Sequence, residues 1–192
     1  MFAHGAGAGM NHPFMQRAAQ ALEARGIVTH RFDFPYMQAK KSRPDPPAVA
    51  EAAVRRAVAE AAGAHPGLPV FAGGKSFGGR MTSQAQAAQP MPGVRGLVFF
   101  GFPLHPPGRP GTSRAEHLTA VDVPMLFLQG TRDEFAQLDL LREVIARLGD
   151  RATLHLIEEG DHSFKVPKRT GKTEADVMNE LADTFQQWAN NV

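Results

Sequence analysis

Apolar positions along the chain fall into two kinds of segment that alternate. Short runs rich in Val, Ile and Phe recur as "MFAH", "IVTHRFDF", "LPVFAG", "VRGLVFF", "VPMLFLQ" and "ATLHLIEE", and runs of that length read as strands. Between them lie longer stretches with helical spacing. In the first, Phe14, Ala18, Ala21 and Leu22 share a face, Pro13 suits a first turn and Gly26 is placed to close the helix. In the second, Asp45 before Pro46 supplies a cap, and Glu51 with Arg55 forms an i,i+4 pair. A later helix collects Leu138, Leu141, Ile145 and Leu148 on one side. The last begins near Thr173, with Asp176 as its capping-box partner, and carries Val177, Leu181, Phe185 and Trp188 as a core-packing stripe.

Strands alternating with helices predict parallel strands joined by right-handed crossovers. The expected fold is α/β, a mostly parallel sheet of about six strands with helices on both faces. The Pro/Gly-rich stretch "GFPLHPPGRPGTSR" (101–114) reads as a loop, because strands flank it. No internal repeat or low-complexity tract interrupts the pattern, so residues 1–192 read as a single domain. The first strand is short before "HGAGAG", yet it belongs inside the sheet.

Composition narrows the function. A chain of 192 residues buries enough surface for a core without staples. Its net charge of +2 is scattered, and the densest basic run, "KKSR" at 40–43, is too short for a nucleic-acid footprint. With no cysteine, disulfides, thiolate metal sites and a cysteine nucleophile are excluded. No signal-peptide pattern and no run of 18 apolar residues is present, which predicts a cytoplasmic protein with neither a membrane nor a nucleic-acid partner. No metal or cofactor is expected. His105 and His117 are too far apart for a helical metal pair, and no H-E-x-x-H occurs.

The chemistry concentrates in "VFAGGKSFGGRM" (70–81). A phosphate-binding loop would need glycine where Pro69 stands. "HGAGAG", with Asp33 after the next strand, approaches a dinucleotide fingerprint, but Met10 occupies the place of its last glycine. "G-K-S-F-G", Gly74 to Gly78, matches G-x-S-x-G throughout. There the serine sits on a strained strand-to-helix turn, and its flanking positions must lack side chains. Asp133 follows the strand "PMLFLQG" and His162 follows "ATLHLIEEG", so Ser76, Asp133 and His162 come in α/β-hydrolase order at three strand ends. The oxyanion hole falls to the backbone N–H of Phe77 and that of Ala6, with Gly7 as the alternative.

"HGAGAGM", "RFDFPYM", "GGKSFGGRM", "GFPLHPPGRP", "LQGTRDEF" and "GDHSFK" together resemble the small cap-less α/β-hydrolases. Most similar is the bacterial dienelactone-hydrolase-like, or KANL/Tex-type, group. The resemblance runs end to end and implies the α/β-hydrolase fold with a Ser76, Asp133, His162 triad. True dienelactone hydrolases use a cysteine, and the group usually has strands before the segment matching "HGAGAG"; both are absent here. The expected activity is hydrolysis of a small-molecule ester or thioester through an acyl-enzyme, rising over roughly pH 6–7 as an imidazole base loses its proton. Tyr36, His105, Arg109 and Arg80 are candidate substrate-binding residues. Phe102 to Asp122, where larger relatives insert a cap, is too short for a lid, so the site should be open. The alternative is a non-catalytic interaction scaffold of the same fold. A bare sheet edge makes a homodimer a further expectation.

Overall fold

A computed structural model describes residues 1–192. All six predicted runs become strands: β1 (Phe2–Ala3), β2 (Arg31–Phe32), β3 (Val70–Lys75), β4 (Val94–Phe100), β5 (Met125–Gly130) and β6 (Ala152–Ile157). They form one sheet in the order β2-β1-β3-β4-β5-β6, and every neighbouring pair is parallel. β1 is only two residues long but lies inside the sheet, as expected. The helices are α1 (Pro13–Glu23), α2 (Pro35–Gln38), α3 (Pro47–Ala64), α4 (Phe77–Ala88), α5 (Leu138–Leu148) and α6 (Glu174–Ala189).

Side chains of a strand alternate between faces, and here both faces are apolar. Phe2, Val98, Phe100, Leu126 and Leu128 join a core with residues of α1 and α6. Their neighbours Ala3, Leu97, Phe99, Met125 and Phe127 join a second core with α3, α4 and α5. This two-sided burial makes the central strands continuous apolar runs in the sequence. No helix is long and apolar enough to cross a membrane. The chain after β4 runs without regular structure to a 3₁₀ turn at Ser113–Ala120, and no lid rises from it.

Helix ends follow the sequence in part. α6 has its capping box: the Asp176 N–H donates to Thr173 Oγ1 at 3.1 Å, and the Thr173 N–H donates back to Asp176 Oδ2 at 2.7 Å. α1 starts with Pro13 in its first turn, and His12 Nδ1 accepts the Phe14 N–H at 3.2 Å. Its buried face is Phe14, Met15, Ala18, Ala19 and Leu22, turned slightly from the predicted one, because α6 packs across it. Two local predictions fail. Asp45 does not cap α3; its carboxylate accepts the Tyr36 N–H at 2.9 Å. Arg55 forms no pair with Glu51, but donates to the Gln89 carbonyl at the end of α4 and to the Ala85 carbonyl, which also accepts the Gln89 N–H.

Candidate active site

β3 ends at Lys75 and α4 begins at Phe77, leaving Ser76 alone in the turn at φ +50° and ψ −115°. That is a strained conformation for a residue with a side chain. Close packing against β1 enforces it. A Cβ on Gly74 would sit 2.3 Å from the Ala3 carbonyl oxygen, and one on Gly78 would sit 2.5 Å from that of His4. The flanking glycines thus let the chain of β1 pass directly against the turn.

Two other loops reach the same point. His162 follows β6 in a turn held by Asp161, whose Oδ1 accepts the N–H groups of Ser163 and Lys165 at 2.8 and 2.9 Å. Asp133 follows β5. Ser76 Oγ lies 2.8 Å from His162 Nε2, and His162 Nδ1 lies 2.7 Å from Asp133 Oδ2. The structure therefore brings together the three residues that the sequence set 57 and 29 positions apart. The Asp133 side chain is fully buried. Besides the imidazole, its carboxylate accepts the Gln129 amide at 2.5 Å and the Phe135 N–H at 2.8 Å, so the buried charge is met by three donors. The Phe135 ring lies against the imidazole, with centroids 4.3 Å apart.

The oxyanion-hole candidates have free geometry on two sides. Phe77 is the first residue of α4, where an N–H has no intrahelical acceptor. Ala6 sits exposed in the loop after β1. The alternative, Gly7, is engaged: its N–H donates to Tyr36 Oη at 3.2 Å. Asp33, in the ribose-acid position of the dinucleotide reading, accepts the Met10 N–H at 2.7 Å and so holds this loop. Buried His4 donates from Nδ1 to the Gly5 carbonyl and accepts the Phe34 N–H at Nε2.

A cleft of about 490 Å³ opens beside Ser76 and His162. Phe14, Met15, Phe164, Val177 and Met178 make its apolar walls, and Ala6 lies at its edge. Arg17 and Glu174, 3.5 Å apart, lie across its mouth. None of Tyr36, His105, Arg109 and Arg80 lines it. Tyr36 is buried and steadies the Gly7 loop. His105 is buried too, donating from Nδ1 to the Pro106 carbonyl and accepting the Gln137 N–H at Nε2, which ties the loop after β4 to the one bearing Asp133. Arg109 is exposed at the tip of that loop. Arg80 is half-buried with Nε unpartnered, and burial together with the nearby Arg114 charge lowers its pKa. Sequence reading missed Gln129, Phe135 and the α1–α6 cleft. Only Gln129 left a trace, as the one polar side chain in "PMLFLQG".

A family model described as an alpha/beta hydrolase domain matches residues 1–190. An alpha-beta serine hydrolase homologue from Coxiella burnetii superposes with a TM-score of 0.74 at 18% identity, over 97% of this chain and 82% of the other. A serine hydrolase without a lid from Xanthomonas campestris gives 0.71 at 25% identity, over 97% and 81%. A monoacylglycerol lipase from Paleococcus ferrophilus gives 0.73 at 14% identity, over 97% and 91%.

Proposed function

The chain belongs to the α/β-hydrolase family, and from that membership we propose that it is a serine hydrolase cleaving a carboxylic ester or thioester. One observation carries the reading: the unbroken hydrogen-bond chain from Ser76 through His162 to Asp133. Ser76 Oγ attacks the carbonyl carbon while His162 Nε2 takes its proton, and Asp133 holds the imidazole tautomer and stays ionised. The N–H groups of Phe77 and Ala6 bond to the oxyanion that forms. Collapse breaks the bond to the alcohol or thiol, which leaves with the proton from Nε2. Water then attacks the acyl-enzyme, gives its proton to Nε2, and the acid departs as Ser76 recovers its hydrogen.

The cleft supports an acyl group of short to medium length. Phe14, Met15, Phe164, Val177 and Met178 give it an apolar wall, and its volume of about 490 Å³ is modest for a ligand pocket. The likeness to a lidless serine hydrolase at 25% identity supports an open site of this kind.

A fluorophosphonate probe labels Ser76 in the native protein if the reading holds. Ser76→Ala abolishes labelling and lowers ester turnover about a millionfold, and Asp133→Asn lowers it about ten-thousandfold. Native protein that resists the probe, or Ser76→Ala turning over esters at the native rate, removes the enzymatic reading and leaves the scaffold.

A further inference from the structure

Strand alternation puts Phe71, Gly73 and Lys75 on the face of β3 that packs against α1 and α6. The central strands' other contributions to that face, Phe2, Val98, Phe100, Leu126 and Leu128, are all apolar, whereas Arg31 and His155, level with Phe2 and Leu128, stand on the edge strands β2 and β6. A lysine at this place is costly, since an ammonium loses most of its hydration there. Its stem passes over Gly5, where an added Cβ would lie 3.6 Å from Lys75 Cγ. Its Nζ sits 5.8 and 5.6 Å from the ring centroids of Phe14 and Phe164. Nζ donates to the backbone carbonyl of His162 at 2.6 Å, yet no carboxylate stands within ion-pair distance of it.

Gly101 marks how near this charge comes to the site. A methyl group built there would lie 2.9 Å from Lys75 Nζ, 3.4 Å from His162 Nδ1 and 3.5 Å from Asp133 Oδ2. The ammonium, the imidazole and the carboxylate thus surround one small space that only glycine leaves open, at φ +72°. We propose that Lys75 is a positioning residue, which pins the loop carrying His162 through its carbonyl and so holds the imidazole between Ser76 and Asp133. The inference rests on the triad reading above.

Burial pulls the Lys75 amine down to about 8, against the raising effect of Asp133 and Asp161, so it is charged at neutral pH. The other charged or titratable groups around the cleft are His162 and Lys165 after β6, His12 and Arg17 at the start of α1, and Glu174 at the start of α6.

Two substitutions test this on the full chain. Lys75→Met matches the stem in an apolar setting, and Lys75→Arg keeps the charge. In Lys75→Met the plateau kcat falls about tenfold, with KM little changed, as the carbonyl loses a charge-assisted donor. Lys75→Arg, which keeps a charged donor, recovers most of that loss. A Lys75→Met kcat equal to the native one, or a loss that Lys75→Arg does not recover, overturns the proposal. A second readout needs no turnover: the Lys75 Cε resonance titrates near 8 in the native protein, and Asp133→Asn moves it lower. A Lys75 titrating like a free lysine, near 10.4 and indifferent to Asp133→Asn, also overturns it. If the resonance behaves as stated but no ester is cleaved, the hydrolase reading fails while the buried charge beside the pair stands.

Discussion

Gln129 is the one polar side chain of β5, and its amide bridges two parts of the site. Oε1 accepts the Phe102 N–H at 2.8 Å, and Nε2 donates to Asp133 Oδ2 at 2.5 Å. Gln129→Leu keeps the volume but strands a buried N–H and removes one of three donors from the carboxylate; each unmet group costs about 1–3 kcal/mol. The variant should melt lower and lose about ten- to a hundredfold in kcat, with KM nearly constant, as steady-state kinetics will read. Lys75 contributes with the opposite sign to stability. Its folded pKa of about 8 lies below the ordinary 10.5, so between those values the unfolded chain holds more protons and stability climbs as pH rises. At pH 7 the full penalty, about 3 kcal/mol at most, is present. The native protein therefore gains stability relative to Lys75→Met as pH rises from 8 to 10.5, a slope that melting temperatures of the two across that range will read. Sequence showed both residues plainly, but the Phe102 N–H and the His162 carbonyl lie 27 and 87 positions away, and nothing local names them.

Among the elements, α6 shows how much a helix owes to its first turn. Thr173 and Asp176 satisfy each other's N–H groups there, and the turn they fix carries Glu174, Val177 and Met178 into the cleft. Thr173→Ala should lower stability by about 1 kcal/mol, seen as a lower melting temperature, with Ser76 labelling intact. The capping box was legible because both partners lie within three residues. The pairings of Asp45 and Arg55 at α3 were not. Both have the right types for local pairing, yet each finds a partner on another element: a backbone N–H of α2 for one, two carbonyls at the end of α4 for the other. Local propensity yields here to backbone groups that other elements present. The strand–Ser76–helix turn belongs with the legible features, since its glycines answer a steric demand that the pentapeptide itself expresses.

For the molecule as a whole, the question is on which side of Ser76 a substrate lies. The loop after β4 offered the polar candidates, but the structure turns His105 into a brace between loops and leaves Arg109 in solvent. The open volume lies instead between α1, α6 and the His162 loop. Met178→Trp extends bulk into that space. The specificity constant for hexanoyl esters should fall about tenfold or more, while acetyl esters are cleaved as before; equal losses for both would place the acyl group elsewhere.

Sequence alone determined the parallel α/β order, the sharp turn at Ser76, and the succession of serine, acid and histidine at three strand ends. These depend on side-chain periodicity and on steric limits that act within a few residues. Tertiary structure alone decided that Gln129 meets the Phe102 N–H, that the Lys75 ammonium is buried beside the imidazole, and that the cleft opens toward α1 and α6. Those depend on which distant surfaces exclude water from a group and which leave it a partner, and such desolvation arises only when elements far apart in the chain pack together.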